Sequence, residues 1–244
     1  AQRAMPAAAT VVSFNDALLR TADVQLLDSG QWLNDNVVQY VIERFNANQL
    51  GFLSDSAVLV GGSVAYMLAY ADDESVKSQV KALKVDEAQI VCALVNDSPF
   101  DDTSDYGMQG RDEGVGSHWS LLVFVAADDM FYHYDSLCGH AEDPPNRRRL
   151  SPSSSQESVA LRIATALAPR LRGRRGRSLD DTCWAGNCIS SGVPRQRDGW
   201  RCGWHSLATA RAICNAMSAC HGSSSSDAEA LRCEVVQDVN NLCK

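Results

Sequence analysis

The chain has no run of 18 apolar residues, so it offers no candidate for a membrane-spanning helix. Its first twelve residues are small and largely apolar with one Arg, but no long hydrophobic stretch follows, and a secretory signal is not expected. Position 1 is not Met, which makes Met5 a candidate start. None of the nine cysteines forms a Cys-x-x-Cys pair. The intervals between Cys183 and Cys188 and between Cys214 and Cys220 do not suit common zinc sites, so no metal or other cofactor is expected. An odd count leaves at least one thiol unpaired, and scattered thiols point to a reducing compartment, cytoplasmic, nuclear or both.

A hydrophobic content of 45% over 244 residues suits a folded core, read here as a single domain over residues 1–244. Charge is unevenly spread. Residues 147–177 hold nine Arg and one acid, Glu157, while the whole chain carries −8. The acidic remainder favours a basic protein or peptide partner, since complementary fields speed encounter. Nucleic acid is a poor candidate for that acidic body. The Ser and Pro residues at 151–155 mark a flexible Ser/Arg-rich insertion within 138–181. Composition predicts that trimming 147–157 leaves the fold intact.

Periodicity along the chain gives an α/β alternation with a central mixed sheet flanked by helices. Val37, Val38, Val41, Ile42 and Phe45 recur at helical spacing after Asn34 or Asp35, either of which can cap a helix over 35–45. Helices are also expected over 63–70, 75–83, 159–171, 203–217 and 228–242. Residues 88–95, 119–125 and 130–134 read as strands, with a short one within 182–193. Asp128-Asp129 between two of these makes a hairpin. A hairpin brings its outer ends together, so His118 and Asp135, 17 residues apart, become neighbours. The acidic loop 97–116 reads as solvated, with a lid as the functional alternative.

Four chemical parts then stand out. A thiol attacks, an imidazole takes its proton, a carboxylate orients the imidazole, and an amide donates to the oxyanion. Cys202, His118, Asp135 and Gln196 are candidates for these parts. Cys202 precedes the expected helix at 203–217, whose positive end favours anions. The chain order is His, Asp, Gln, Cys, whereas papain-like enzymes place Cys first. His133 and His205 have no evident partner in sequence and read as structural or surface residues.

Four islands carry a family resemblance. They are Trp32-Leu33-Asn34-Asp35 with the leucine-rich stretch before it, Gly116-Ser117-His118-Trp119-Ser120-Leu121-Leu122-Val123, Phe131-Tyr132-His133-Tyr134-Asp135-Ser136, and Gln196 through Cys202-Gly203. Together they resemble the SUMO/sentrin-specific cysteine proteases, most closely the deneddylase branch. The resemblance implies a papain-like α/β fold with permuted order. It implies cleavage after the C-terminal Gly-Gly of a ubiquitin-like modifier, NEDD-type first and SUMO second, to mature the precursor or free conjugates. It assigns His118 as base, Asp135 as its orienter, Cys202 as nucleophile and Gln196 as oxyanion donor, and it makes Trp32, Asp35 and Trp119 candidate substrate-binding residues. Two glycines offer no side chain to grip, so a narrow aromatic tunnel can select them. As core aromatics, Trp32 and Trp119 would instead have no substrate role.

Arg201 stands where the family has Asp, Trp204-His205 follow where it favours small or apolar residues, and the segment between Asp135 and Gln196 is longer. These departures leave two alternatives: an acyltransferase on the same fold, and an inactive modifier-binding module.

Overall fold

The computed structural model describes residues 9–28, 30–50, 56–97, 118–138, 149–151, 154–171, 187–217, 231–235 and 237. Its centre is a five-stranded mixed sheet. The strands are β3 (Ala57–Val60), β4 (Ile90–Asn96), β5 (Trp119–Val125), β6 (Met130–Tyr134) and β7 (Cys188–Ser191), adjacent in that order. The outer pairs β3/β4 and β6/β7 are parallel, and the inner pairs β4/β5 and β5/β6 antiparallel. A separate hairpin, β1 (Thr10–Phe14) and β2 (Ala17–Arg20), begins the described chain.

Period two decides which face each side chain takes. On β4, Ile90, Cys92 and Leu94 enter one hydrophobic cluster, and Val91, Ala93 and Val95 the other. On β5 the same split places Leu121, Val123 and Val125 opposite Leu122 and Phe124. Every residue of β5 is buried, as an apolar run covered on both sides must be.

Helices cover both faces. On the first lie α2 (Asp35–Asn46) and α6 (Cys202–Met217). Asn34 caps α2 by accepting from the Val37 N–H, and Val37, Val38, Val41, Ile42 and Phe45 are buried along it, matching the expected stripe. On the second face lie α3 (Gly62–Tyr70), α4 (Asp73–Ala82) and α5 (Ser155–Leu167). A short helix, α1 (Thr21–Gln25), links β2 to the loop before α2. Residues 231–235 and 237 are helical, within the helix expected over 228–242.

The structure corrects the reading of residues 147–157. Helix α5 starts at Ser155 rather than 159, because the Ser154 hydroxyl accepts from the Glu157 N–H and caps it. Gln156 and Glu157 are buried, and Glu157 accepts from the Ser151 N–H. The end of the Ser-rich stretch is therefore a helix cap and packs as part of the fold. The rest of the Arg-rich insertion, 139–148 and 172–181, lies outside the described residues, as does most of the acidic loop. Asp97, the described residue of that loop, is not merely solvated: its carboxylate accepts from the His118 N–H at 2.9 Å.

No disulfide joins cysteines among the described residues; Cys92 on β4 and Cys214 on α6 face each other as thiols at 3.8 Å. The hydrogen bond with Cys214, together with burial, holds the Cys92 thiol well above the usual range. Cys183, Cys220 and Cys243 lie outside the described residues. Among those described, no helix is long and apolar enough to cross a membrane.

Candidate active site

The β5–β6 hairpin sets the first half of the site. Its register runs from Val125↔Met130 at the turn to Leu121↔Tyr134. Continuing outward, His118 just before β5 reaches Asp135 just after β6. His118 Nε2 lies 2.7 Å from Asp135 Oδ1, and both residues are buried. The same carboxylate oxygen accepts from the Leu137 N–H at 2.8 Å, which fixes its direction.

Helix α6 supplies the second half. Cys202 is its first residue and is 1% exposed. With Nε2 engaged by Asp135, Nδ1 of His118 is left for the Cys202 thiol, which also interacts with the ring. Burial alone would lower the imidazole pKa, but the Asp135 hydrogen bond, the Cys202 contact and their charges outweigh it and raise it to about 9. Burial likewise favours a neutral Asp135. The His118 hydrogen bond and charge, the Leu137 N–H and the charge of His133 outweigh it and lower that carboxyl to about 2. An imidazolium paired with a carboxylate is thus the resting form at neutral pH.

Gln196 is held at three points. Its backbone N–H donates to the Ser136 carbonyl at 3.0 Å, its Oε1 accepts from the Ser136 hydroxyl at 2.6 Å, and its Nε2 donates to the Asp198 carbonyl at 2.8 Å. An amide nitrogen carries two N–H groups, so a second donor remains for a ligand. The loop beyond is equally fixed. Asp198 accepts from the Trp200 and Arg201 N–H groups, and the Arg201 guanidinium reaches its other oxygen at 3.1 Å while lying over the Trp200 ring at 4.6 Å. Arg201 therefore braces the turn into α6, and its charge is balanced by Asp198.

The Trp32-to-Asp35 island packs beside Cys202. Trp119 is 3% exposed and its indole N–H donates to the Leu33 carbonyl at 2.9 Å, whereas Trp32 is 39% exposed. Leu33 lies against Gly203, where an added Cβ would meet it at 3.1 Å. Asp23 gathers the amides of Asn34 and Asn36, which fixes the loop that presents Trp32. Asp35, Gly62 and Trp119 meet at one point: a Cβ on Gly62 would fall 2.5 Å from both Asp35 Oδ1 and the Trp119 ring. Burial holds the Asp35 carboxyl above its usual range, against a hydrogen bond from Ser63.

The structure thus brings His118, Asp135, Cys202, Gln196, Trp119 and Asp35 around the start of α6, with Trp32 at the surface. Sequence reasoning missed Ser136, Asp198, Gly62 and Gln156. Ser136, directly after Asp135, and Asp198, between Gln196 and Cys202, lie within the motif islands and so carried a signal.

No family model matches the chain. Human sentrin-specific protease 8 is 26% identical over 205 residues, spanning 84% of this chain and 81% of that protein. NEDD8-specific protease 1 of Arabidopsis thaliana is 26% identical over 207 residues, spanning 84% and 75%. The chain is similar to the SUMO/sentrin-specific cysteine proteases, a NEDD8-specific one among them. The fold agrees: the C-terminal protease domain of Ulp1, solved with the yeast SUMO ortholog Smt3, superimposes with a TM-score of 0.64 over 99% of this chain and 91% of that one, at 14% identity.

Proposed function

We propose that this chain is a cysteine peptidase that cleaves after the C-terminal Gly-Gly of a ubiquitin-like modifier, NEDD-type before SUMO, maturing the precursor and freeing conjugates. The observation that carries the reading is the 2.7 Å His118–Asp135 pair set against Cys202 at the first turn of α6. Similarity to proteases named for sentrin and NEDD8 supports the modifier class.

The steps follow from the geometry. The imidazolium of His118 stabilises the Cys202 thiolate, which attacks the carbonyl of the last glycine. The resulting oxyanion receives the spare N–H of Gln196 and the backbone N–H of Cys202 at the helix N-terminus. His118 hands its proton to the leaving amine, and a thioester to Cys202 remains. Water, deprotonated by His118, then attacks the thioester and releases the modifier with a free carboxylate. Asp135 keeps Nδ1 aimed at sulfur through both steps. Trp32, at the surface, forms a wall that admits side-chain-free glycines, while the buried Trp119 holds the loop that presents Trp32 through the Leu33 carbonyl and packs beside Asp35. Arg201, tied to Asp198, braces rather than blocks the nucleophile, which disfavours an inactive binding module. The thiol-rich composition supports a reducing compartment, cytoplasmic or nuclear.

A NEDD-type modifier carrying a C-terminal thiol-reactive electrophile tests the reading. Covalent capture by the wild type and none by Cys202→Ala is expected. Equal labelling of both would contradict it.

A further inference from the structure

His118 stands just outside the sheet. The β4–β5 ladder begins at Asn96↔Trp119, one residue beyond it. Two side chains hold its backbone instead. The N–H donates to Asp97, and the carbonyl accepts from Gln156 Nε2 at 2.6 Å.

Gln156 is itself oriented. Its Oε1 accepts from the Ser120 hydroxyl at 2.7 Å. A hydroxyl has one proton, and that bond uses it, so Ser120 Oγ accepts from His133 Nε2, 2.8 Å away. The donors run in one direction, from His133 to Ser120 to Gln156 to the His118 carbonyl. Reversing the Gln156 amide would set its oxygen against that carbonyl and its nitrogen against a committed hydroxyl. All four residues are buried.

The location makes this a costly arrangement. Leu122 pairs with His133 across the hairpin, so Ser120 and His133 are diagonal neighbours on one sheet face. Helix α5 packs on that face with Val159, Ala160 and Ile163 in an apolar cluster. Buried polar groups there are tolerated only when each is satisfied, and together they specify one arrangement.

We infer that Gln156, oriented by Ser120 and His133, is a positioning residue for the peptidase reaction: it fixes the His118 backbone, and with it the reach of the imidazole to Cys202. This rests on His118 being the base. The helix behind the sheet, directly after the Ser-rich stretch, thereby belongs to the catalytic apparatus without touching the substrate.

Gln156→Met keeps the side chain's length and removes its donor and acceptor. The full chain is assayed with a NEDD-type modifier-coumarin substrate, with active sites counted by the electrophilic modifier probe and folding checked by thermal melting. The expected result is a kcat per titrated site lowered about ten- to hundredfold, the scale of a small misplacement of a reacting group, with KM within about twofold. Ser120→Ala gives a similar fall, and the double variant is no slower than Gln156→Met alone, because Ser120 acts through Gln156. A kcat per titrated site equal to wild type in folded Gln156→Met, or a loss confined to KM or to the folded fraction, overturns the inference. If Gln156→Met does not fold, Ser120→Ala decides by the same readout. An inactive wild type overturns the peptidase reading instead, and the wild-type control shows this separately.

Discussion

Replacing Asp135 with Asn tests the electrostatic heart of the site. The substitution keeps shape and removes the charge 2.7 Å from His118 Nε2. His118 is raised from 6.5 to about 9 with Asp135 as its main favourable partner. That rise corresponds to roughly 3 kcal/mol favouring the imidazolium, an upper bound on the Asp135 share because Cys202 contributes too. If most of it is lost from the reacting state, kcat falls about 10²-fold. The high-pH limb of kcat/KM, which reports loss of the imidazolium proton near 9, moves to lower pH. Stability should follow the same groups. The raised imidazole contributes fully below 6.5, and this is lost as pH rises through about 9. The depressed carboxyl contributes above 3.8, and this is lost as pH falls through about 2. Both contributions are complete between 3.8 and 6.5. Melting curves should therefore separate wild type and Asp135→Asn more at pH 6 than at pH 10. An unmoved alkaline limb with kcat changed less than about threefold would refute the reasoning.

Other perturbations separate parts of the site. Trp119→Ala should cost about 3–5 kcal/mol because the indole is buried, whereas Trp32→Ala should change stability by no more than about 0.5 kcal/mol yet raise KM; thermal melts beside kinetics distinguish them. Wild-type stability in Trp119→Ala would contradict its burial. Gly62→Ala forces a methyl into the Trp119 ring and Asp35, and should cost about 1–3 kcal/mol with a higher KM; an unchanged melting temperature and KM would show that the site yields easily. Deleting 147–157 removes the Ser154 cap together with Gln156 and Glu157, and should lower the melting temperature by several degrees and reduce kcat. A silent deletion would place α5 outside the folded unit.

Much of this was legible in the residue pattern. The apolar runs of β4 and β5 and the stripe on α2 announced their elements because burial on two faces or one writes a distinct period. The hairpin arithmetic joined His118 to Asp135 without any coordinates. Local propensity could not show α5 beginning at Ser155, since a Ser-rich stretch reads as coil until its last hydroxyl is seen capping a helix. Gln156 was illegible for a deeper reason. Its partners, Ser120, His133 and the His118 carbonyl, lie on or just before the β5–β6 hairpin, far from Gln156 in sequence, and only the register puts Ser120 and His133 on one face. His133 seemed partnerless for the same reason. Trp119 and Trp32 look alike in sequence, yet one is in the core and the other at the surface, a difference set by how the Leu33 carbonyl and Gly203 receive the loop.

The most direct test is turnover of coumarin conjugates of a NEDD-type modifier, SUMO and ubiquitin by wild type and Cys202→Ala. The account predicts cleavage of the NEDD-type conjugate first, SUMO more slowly, ubiquitin least, and none by Cys202→Ala, which still binds the modifier. Turnover by Cys202→Ala, or no cleavage of any modifier by a folded wild type, would contradict it.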